Sequence, residues 1–491
     1  MKLHELIPEP QLEFGTNRYI CPRAGIAHYG VYDTRQKIRK DKVFVGAVGT
    51  SEGLAQLNSW LERCRGFIPP ALGVSSSRSG KEPNAKPNLR FPFYGFNTDN
   101  GFRAQLVFGE EITRPLNNKD IRELLQIEDW NERVNEAVDL YFNEAKYLND
   151  HRNVDVIVCV IPDDLYDKIA KEPKSPGEET LADQDNEKEN YYEQNFRRAL
   201  KARCIVALEK PLQLVREKSL KAGGGADQQD DATKAWNFCT ALYYKARTTI
   251  PWKLISNVNR PAPCHVGICF FRSRDRKSQR TSLAQIFDEL GQGVILRGAE
   301  VDTSKDDPRP YLNEQQANDL LERALAKYEF AVKTRPGRLV LHKTSNYRAD
   351  EVSGFAAAAA AHNIDIIDFV TVLDSSFRLF RKGIYPPYRG THLEIDSERH
   401  VLYTRGSVKY YQTYTGRYPP QPIEIRLTDS SESPHVICEE ILGLSKMNWN
   451  NTQFDGKYPI TIGCARKVGQ IMKYLEGEDD EKIKTSYCYY M

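Results

Sequence analysis

No stretch of this 491-residue sequence is apolar for long enough to cross a bilayer. Its longest apolar runs, near Val154–Pro162 and Gly354–Ala361, fall well short of the ~20 residues a spanning helix needs. The opening residues, Met1 to Pro10, carry neither an apolar core nor a small-residue cleavage site, so a secretory leader is not expected. The ten cysteines include no CxxC pair, and the closest two are Cys264 and Cys269. Zinc spacing is therefore missing, and the expectation is buried, reduced thiols in a cytoplasmic protein. Bulk charge is missing too. Lys+Arg 69 against Asp+Glu 67 leaves +2, which excludes a polybasic protein that grips nucleic acid through overall charge but leaves room for a local basic groove. Neither a Gly-x-Ser-x-Gly elbow nor an HExxH helix occurs, and no repeat of solenoid length is present.

Three fragments imitate known motifs and fail. Gly73–Lys81 (GVSSSRSGK) has six residues between its glycines where a phosphate loop has four, and Glu82 stands where a hydroxyl would ligate magnesium. It reads as a loop. His392–Glu394 (HLE) lacks the cysteine pair of a deaminase and reads as a strand with a surface histidine. Gly46, Gly49 and Gly53 after the strand Lys42–Val48 give a weak dinucleotide fingerprint, which keeps a Rossmann-type metabolic enzyme as an alternative.

What the chain does contain is an α/β pattern, repeated. Lys42–Val48 (KVFVGAV) and Asn153–Ile161 (NVDVIVCVI) read as buried strands, separated by helical spacing over Ser51–Arg65 and Ile121–Leu148. Strand alternating with helix implies a parallel, Rossmann-like sheet. Residues 171–194 are acidic and polar, a solvated insertion. Arg260 and the prolines at 261 and 263 mark the boundary, giving domains of 1–258 and 259–491. The second half restarts with the strand His265–Phe271, followed by further strands, a long helix over Glu314–Thr334, an alanine-rich helix and a last helix over Ala465–Leu475.

One segment departs from neutrality. Phe196–Lys221 holds eight lysines and arginines against Glu209 and Glu217. Arg197 and Lys201 are four apart, on one face if the segment is helical. Gln213 follows, and Trp236–Lys245 (WNFCTALYYK) ends in another lysine. Together with Leu12–Gly15 (LEFG), Cys21–Gly30 (CPRAGIAHYG), Ile250–Trp252 (IPW), His342–Ser345 (HKTS) and Lys446–Gln453 (KMNWNNTQ), these segments resemble, in order, the short prokaryotic Argonautes. That resemblance implies a Rossmann-like MID domain followed by an RNase H-like PIWI domain. It further implies that Lys201, Gln213 and Lys245, supported by Arg197, hold the 5′ phosphate of a guide. A phosphate with nearly two negative charges suits lysine point charges and a directional amide donor. In the family the terminal carboxylate, here Met491, can approach that site with a magnesium ion.

Active PIWI domains hold two metal ions with acidic or histidine ligands. At the corresponding positions this sequence has Cys269, Thr344 and Arg466; Glu300 is a candidate for the fourth, and Asp275 lies near the first but beyond its strand. Thr and Arg offer no anionic oxygen and a thiol is too soft for magnesium. The resemblance thus implies a non-enzymatic subunit with a guide RNA and a single-stranded DNA target. Its partner would be a separate APAZ-containing effector, sirtuin-like in first choice, TIR or nuclease otherwise. Such pairs serve bacterial defence against plasmid or phage, by NAD depletion where the effector is an NADase. An active guided nuclease remains the rival from within the family.

Overall fold

A computed structural model of the chain describes residues 1–36, 39–70, 91–169, 195–223, 229–247, 249–255, 259–274, 278–286, 293–301, 310–380, 382, 386–411, 413–414 and 419–491. The loop at 71–90, the acidic segment 171–194 and Asp275 lie outside the described residues. Two sheets organise the rest.

The first sheet is wholly parallel. Its strands are β1 (Lys42–Thr50), β2 (Gln105–Val107), β3 (Thr113–Leu116), β4 (Val156–Ile161) and β5 (Leu212–Arg216). They lie in the order β2-β1-β4-β5, with β3 also paired to β1. Every side chain of β4 is buried, at ~1.5–3 kcal/mol for each aliphatic residue. Helices α1 (Ser51–Arg65), α2 (Trp130–His151), α3 (Phe196–Ala207) and α4 (Asp231–Arg247) pack around this sheet. The continuous helix expected over Ile121–Leu148 is broken. A helix over Asn118–Gln126 stops, and Asp129 caps the start of α2 by accepting from the Glu132 amide at 2.8 Å. A capping acid so placed starts a new helix rather than continuing the old one.

The second sheet has nine strands. Its labelled members are β6 (Pro263–Arg272), β7 (Gln279–Ile286), β8 (Gly293–Val301), β9 (Arg338–Lys343), β10 (Ile367–Asp374), β11 (His392–Glu394), β12 (Arg399–Leu402) and β13 (Ile423–Asp429). The order is β11-β12-β13-β10-β9-β6-β7-β8, and Lys2–Leu3 adds the ninth strand beside β11. The chain's first residues therefore extend the sheet of the second half. Strands β6, β9 and β10 are parallel and the other pairs antiparallel. Helices α5 (Glu314–Val332) and α6 (Ala349–Ala361) cover one face with a core of their own, while α7 (Pro434–Leu444) and α8 (Ile460–Met472) join the core shared with the first sheet.

Two sequence expectations change here. His392 is buried, not exposed: its ring stacks on His4 at 4.6 Å and lies 3.2 Å from the His400 ring nitrogen. Helix α8 begins at Ile460, five residues before the expected start. Pro459 sets its entry, and β-branched Ile and Thr with Gly463 obscured the helical signal. No described helix is long and apolar enough to cross a membrane. All ten cysteines are buried and none is in a disulfide.

Candidate functional site

Where α3, β5 and α4 of the first half meet α8 and the chain end of the second, they enclose a cavity of about 1030 Å³. Helix α3 is started by Asn195, whose side chain accepts from the Arg198 amide at 3.1 Å. That register sets Arg197 and Lys201 one turn apart, both on the cavity wall. Strand β5 brings Gln213, α4 brings Lys245, α8 brings Lys467 and Gln470, and the tail brings Tyr490 and Met491. The tail is anchored: the Tyr489 hydroxyl donates to the Glu209 carbonyl at 2.9 Å, the Tyr490 hydroxyl to the Lys484 carbonyl at 2.9 Å, and Met491 is buried. All five residues singled out from the resemblance thus line one cavity.

The charge on that wall is one-sided. Among the described lining residues are eight lysines and arginines and no aspartate or glutamate. Arg216 and Lys234 are paired with Asp163 at 2.5 Å and Asp231 at 2.7 Å, acids outside the wall. Lys201 is only 2% exposed, and its ammonium has no hydrogen-bond partner among the described residues. Burial, then Arg197, Lys245 and Lys467, push its pKa well below the ordinary lysine range. Lys245, equally buried, donates to the Gln213 side-chain oxygen, and burial, with Arg197 second, lowers it to about 7. Desolvated cations held together at this density ask for an anion. A divalent cation is a poor resident here. Among the described lining residues no side chain offers a carboxylate, and the lysines repel a cation; an ion would need phosphate oxygens to complete its shell.

Sequence reading placed Arg198, Arg216 and Lys218 in the basic segment without assigning them to the phosphate site, and missed Lys234 and Lys467. Lys467 directly follows Arg466, but nothing local shows that α8 reaches across to α3.

Near the end of β6, Cys269, Thr344 and Arg466 come together: Ile268 pairs with Lys343, the residue before Thr344, and both Thr344 and Arg466 act to lower the Cys269 thiol. Burial, outweighing both partners, pushes the thiol up to about 11. The Arg466 guanidinium lies 4.2 Å from the centre of the Tyr458 ring. Glu300, on β8, faces Arg280 at 3.5 Å. Among the described residues no group of three or more His, Cys, Asp or Glu side chains is arranged to hold a metal ion.

The dinucleotide alternative meets a specific obstacle. Thr50 caps α1 by accepting from the Gly53 amide at 3.1 Å and itself donates to Glu217 at 3.0 Å. The Glu217 carboxylate thereby occupies the helix start where a pyrophosphate would bind.

Comparisons with known proteins agree with this architecture. No protein-family model matches the chain. In sequence it is 24% identical over 253 residues to the Argonaute of Aquifex aeolicus, spanning 49% of this chain and 32% of that protein. In fold it matches the Clostridium butyricum Argonaute bound to a guide DNA and a 19-mer target DNA, with TM-score 0.65, 16% identity, and coverage of 98% of this chain and 54% of that one. Drosophila Piwi matches with TM-score 0.59 and 13% identity over 99% of this chain and 56% of its own. The A. aeolicus Argonaute structure matches with TM-score 0.57 and 14% identity over 98% and 54%. The chain spans about half the length of these solved structures and a third of the curated relative. The two sheets are accordingly the Rossmann-like MID and RNase H-like PIWI folds.

Proposed function

We propose, on the premise of homology to Argonautes in sequence and fold, that this chain is a guide-dependent nucleic-acid recognition subunit. It holds a guide RNA by its 5′ phosphate in the cationic cavity and pairs that guide with single-stranded DNA. The observation that carries the reading is the convergence of Arg197, Lys201, Gln213, Lys245 and Lys467 on one wall without a carboxylate side chain among the described lining residues. The buried Lys201 ammonium gains the partner it lacks, and Lys245 neutralises a second phosphate oxygen. Magnesium would be held here by the Met491 carboxylate and would supply charge compensation to the phosphate.

The subunit does not cut. Cys269, Thr344 and Arg466 bring a neutral thiol, a hydroxyl and a cation to positions where two-metal hydrolysis needs anionic oxygens. Pairing with the target is instead relayed to a separate APAZ-containing effector, sirtuin-like in first choice, TIR or nuclease otherwise. In a cytoplasmic defence pair against plasmid or phage, an NADase effector would then deplete NAD.

The deciding experiment compares 5′-phosphorylated and 5′-hydroxyl oligonucleotides for binding to the purified chain. A preference of roughly tenfold or more for the phosphate is expected from charge-assisted contacts. Equal affinity sinks the guide reading. Target cleavage at a fixed position with magnesium or manganese would return the chain to the active nucleases.

A further inference from the structure

Lys201 stands apart from the other cations of the cavity. Among the described lining residues it alone carries a buried side-chain nitrogen with no hydrogen-bond partner. Lys245, beside it, is tied to the Gln213 oxygen. Burial, then the fields of Arg197, Lys245 and Lys467, favour the uncharged amine at Lys201. A lysine that is desolvated and crowded by like charge is a nucleophile at neutral pH. Neighbouring groups that could compete with it are held protonated. Burial raises both Cys204 and Cys488, the latter to about 11, and it raises the Tyr490 phenol on the same wall. The cavity of about 1030 Å³ also has room for more than a phosphate beside this amine.

We propose that Lys201, buried and unpartnered on the wall of an anion-binding cavity, is a covalent modification site for small acyl phosphates, and that its acylation closes the cavity to a 5′ phosphate. Arg197 and Lys467, the cations that act on Lys201 beside Lys245, take the phosphate group of the donor. In an acyl phosphate that group is one oxygen away from the acyl carbon. The Lys201 nitrogen attacks this carbon, an amide C–N bond forms, and the acyl C–O bond breaks. Inorganic phosphate leaves with the electron pair of the broken bond, and the amine proton passes to it or to water. The step is redox-neutral. Because the anchoring group is also the leaving group, a wall of cations selects this donor over a neutral one. The product is an uncharged amide, so the wall loses a cation and the acyl group fills space a phosphate would take. The modification stands without a guide; its regulatory consequence rests on the proposed guide reading.

The full chain, freed of nucleic acid and incubated with acetyl phosphate near neutral pH, tests this by peptide mass mapping. Lys201 should acquire the acetyl group about tenfold or more faster than the exposed Lys42 and Lys221, since each unit of lowered pKa raises the free-amine fraction about tenfold. Its rate should level off with rising pH while theirs keep climbing. Inorganic phosphate should protect it, as should a 5′-phosphorylated oligonucleotide but not a 5′-hydroxyl one. Lys201→Arg, which keeps the charge and lacks the amine, should abolish the fast label. The acetylated chain should lose about tenfold in its preference for the 5′ phosphate, and Lys201→Gln should reproduce that loss without a fall in melting temperature. Labelling of Lys201 no faster than of Lys42, or undiminished by inorganic phosphate, would overturn the site. So would fast label on Lys245 in its place. Acetic anhydride, a neutral donor, favouring Lys201 over Lys42 as strongly as acetyl phosphate does would overturn the phosphate-anchored step. Label that inorganic phosphate blocks and the 5′-phosphorylated oligonucleotide does not would sink the guide reading and leave the modification standing. A chain that prefers the 5′ phosphate while Lys201 stays unmodified would do the reverse.

Discussion

Lys245 and Gln213 meet across the floor of the cationic cavity, the ammonium on α4 donating to the amide oxygen on β5. The bond commits the only acceptor of the Gln213 side chain to Lys245 and leaves its NH₂ group as donor. It also fixes the position of a lysine that burial and Arg197 lower to about 7. Lys201, opposite, has no such support. One lysine is thus held ready and the other is left to be satisfied by what binds.

Phosphate recognition should depend on pH in a defined direction. Lys245 is lowered to about 7, so in the empty protein it loses its proton above that pH. A 5′ phosphate becomes a dianion above about 6. Preference for a 5′-phosphorylated over a 5′-hydroxyl guide should therefore peak between these values. It should fall by up to about tenfold per unit from pH 7 to 9, with Lys201 steepening the decline. A ratio that stays flat or rises over that range refutes the assignment.

Lys201→Met should separate stability from function. The substitution removes a buried ammonium without a partner among the described residues and fills the space with an apolar chain of similar length. The empty protein should gain about 1–3 kcal/mol, seen as a higher urea midpoint. The wild type should itself stabilise between about pH 7 and 10.5, where the unfolded lysines hold protons that folded Lys201 and Lys245 release. Discrimination for the 5′ phosphate should be lost. A variant that is both less stable and still discriminating would contradict the cavity's design.

Much of this was legible in the sequence, and the reasons are local. The buried strands at Lys42–Thr50 and Val156–Ile161 announce themselves by composition, and the four-residue spacing of Arg197 and Lys201 is enough to put both side chains on one helix face. What was not legible is whatever depends on packing between distant segments. Lys467 enters the cavity because α8 lies against α3, more than 250 residues away in the chain. His392 is buried because Lys2–Leu3 pairs beside it. Glu217 closes the start of α1 through a bond to Thr50 over 167 positions. Neither periodicity nor motif spacing reports contacts of that range.

The second half has its own stability device. Arg338 is buried between Asp368 at 2.5 Å and Glu440 at 2.6 Å. Burial alone would raise Glu440; His265 and Arg338 outweigh it and hold the carboxyl at about 2. Its stabilisation is present above the ordinary value near 4.5 and is lost as pH falls from there towards 2. Arg338→Met leaves two carboxylates buried without their cation and should cost about 3–5 kcal/mol. Acid and urea unfolding of both proteins would check this, and a loss below about 1 kcal/mol would show that the network is dispensable.

Two glycines of the same packing unit offer the last test. An alanine Cβ at Gly267 would lie 2.3 Å from the Thr461 carbonyl oxygen, a backbone atom that moves only if α8 moves. Because α8 carries both Arg466 and Lys467, Gly267→Ala should lower stability by about 1–3 kcal/mol and weaken 5′-phosphate discrimination with it. Gly463 lies within α8, and a Cβ there meets nothing within 4 Å. Gly463→Ala should therefore stabilise the helix by about 0.5–1 kcal/mol and leave discrimination unchanged. Opposite signs from one chemical change, read by thermal melting and guide binding, would locate the coupling in the contact between α8 and β6. Matching signs would mean that the helix tolerates displacement, and that the cavity and the Cys269–Thr344–Arg466 cluster are positioned by something other than this close approach.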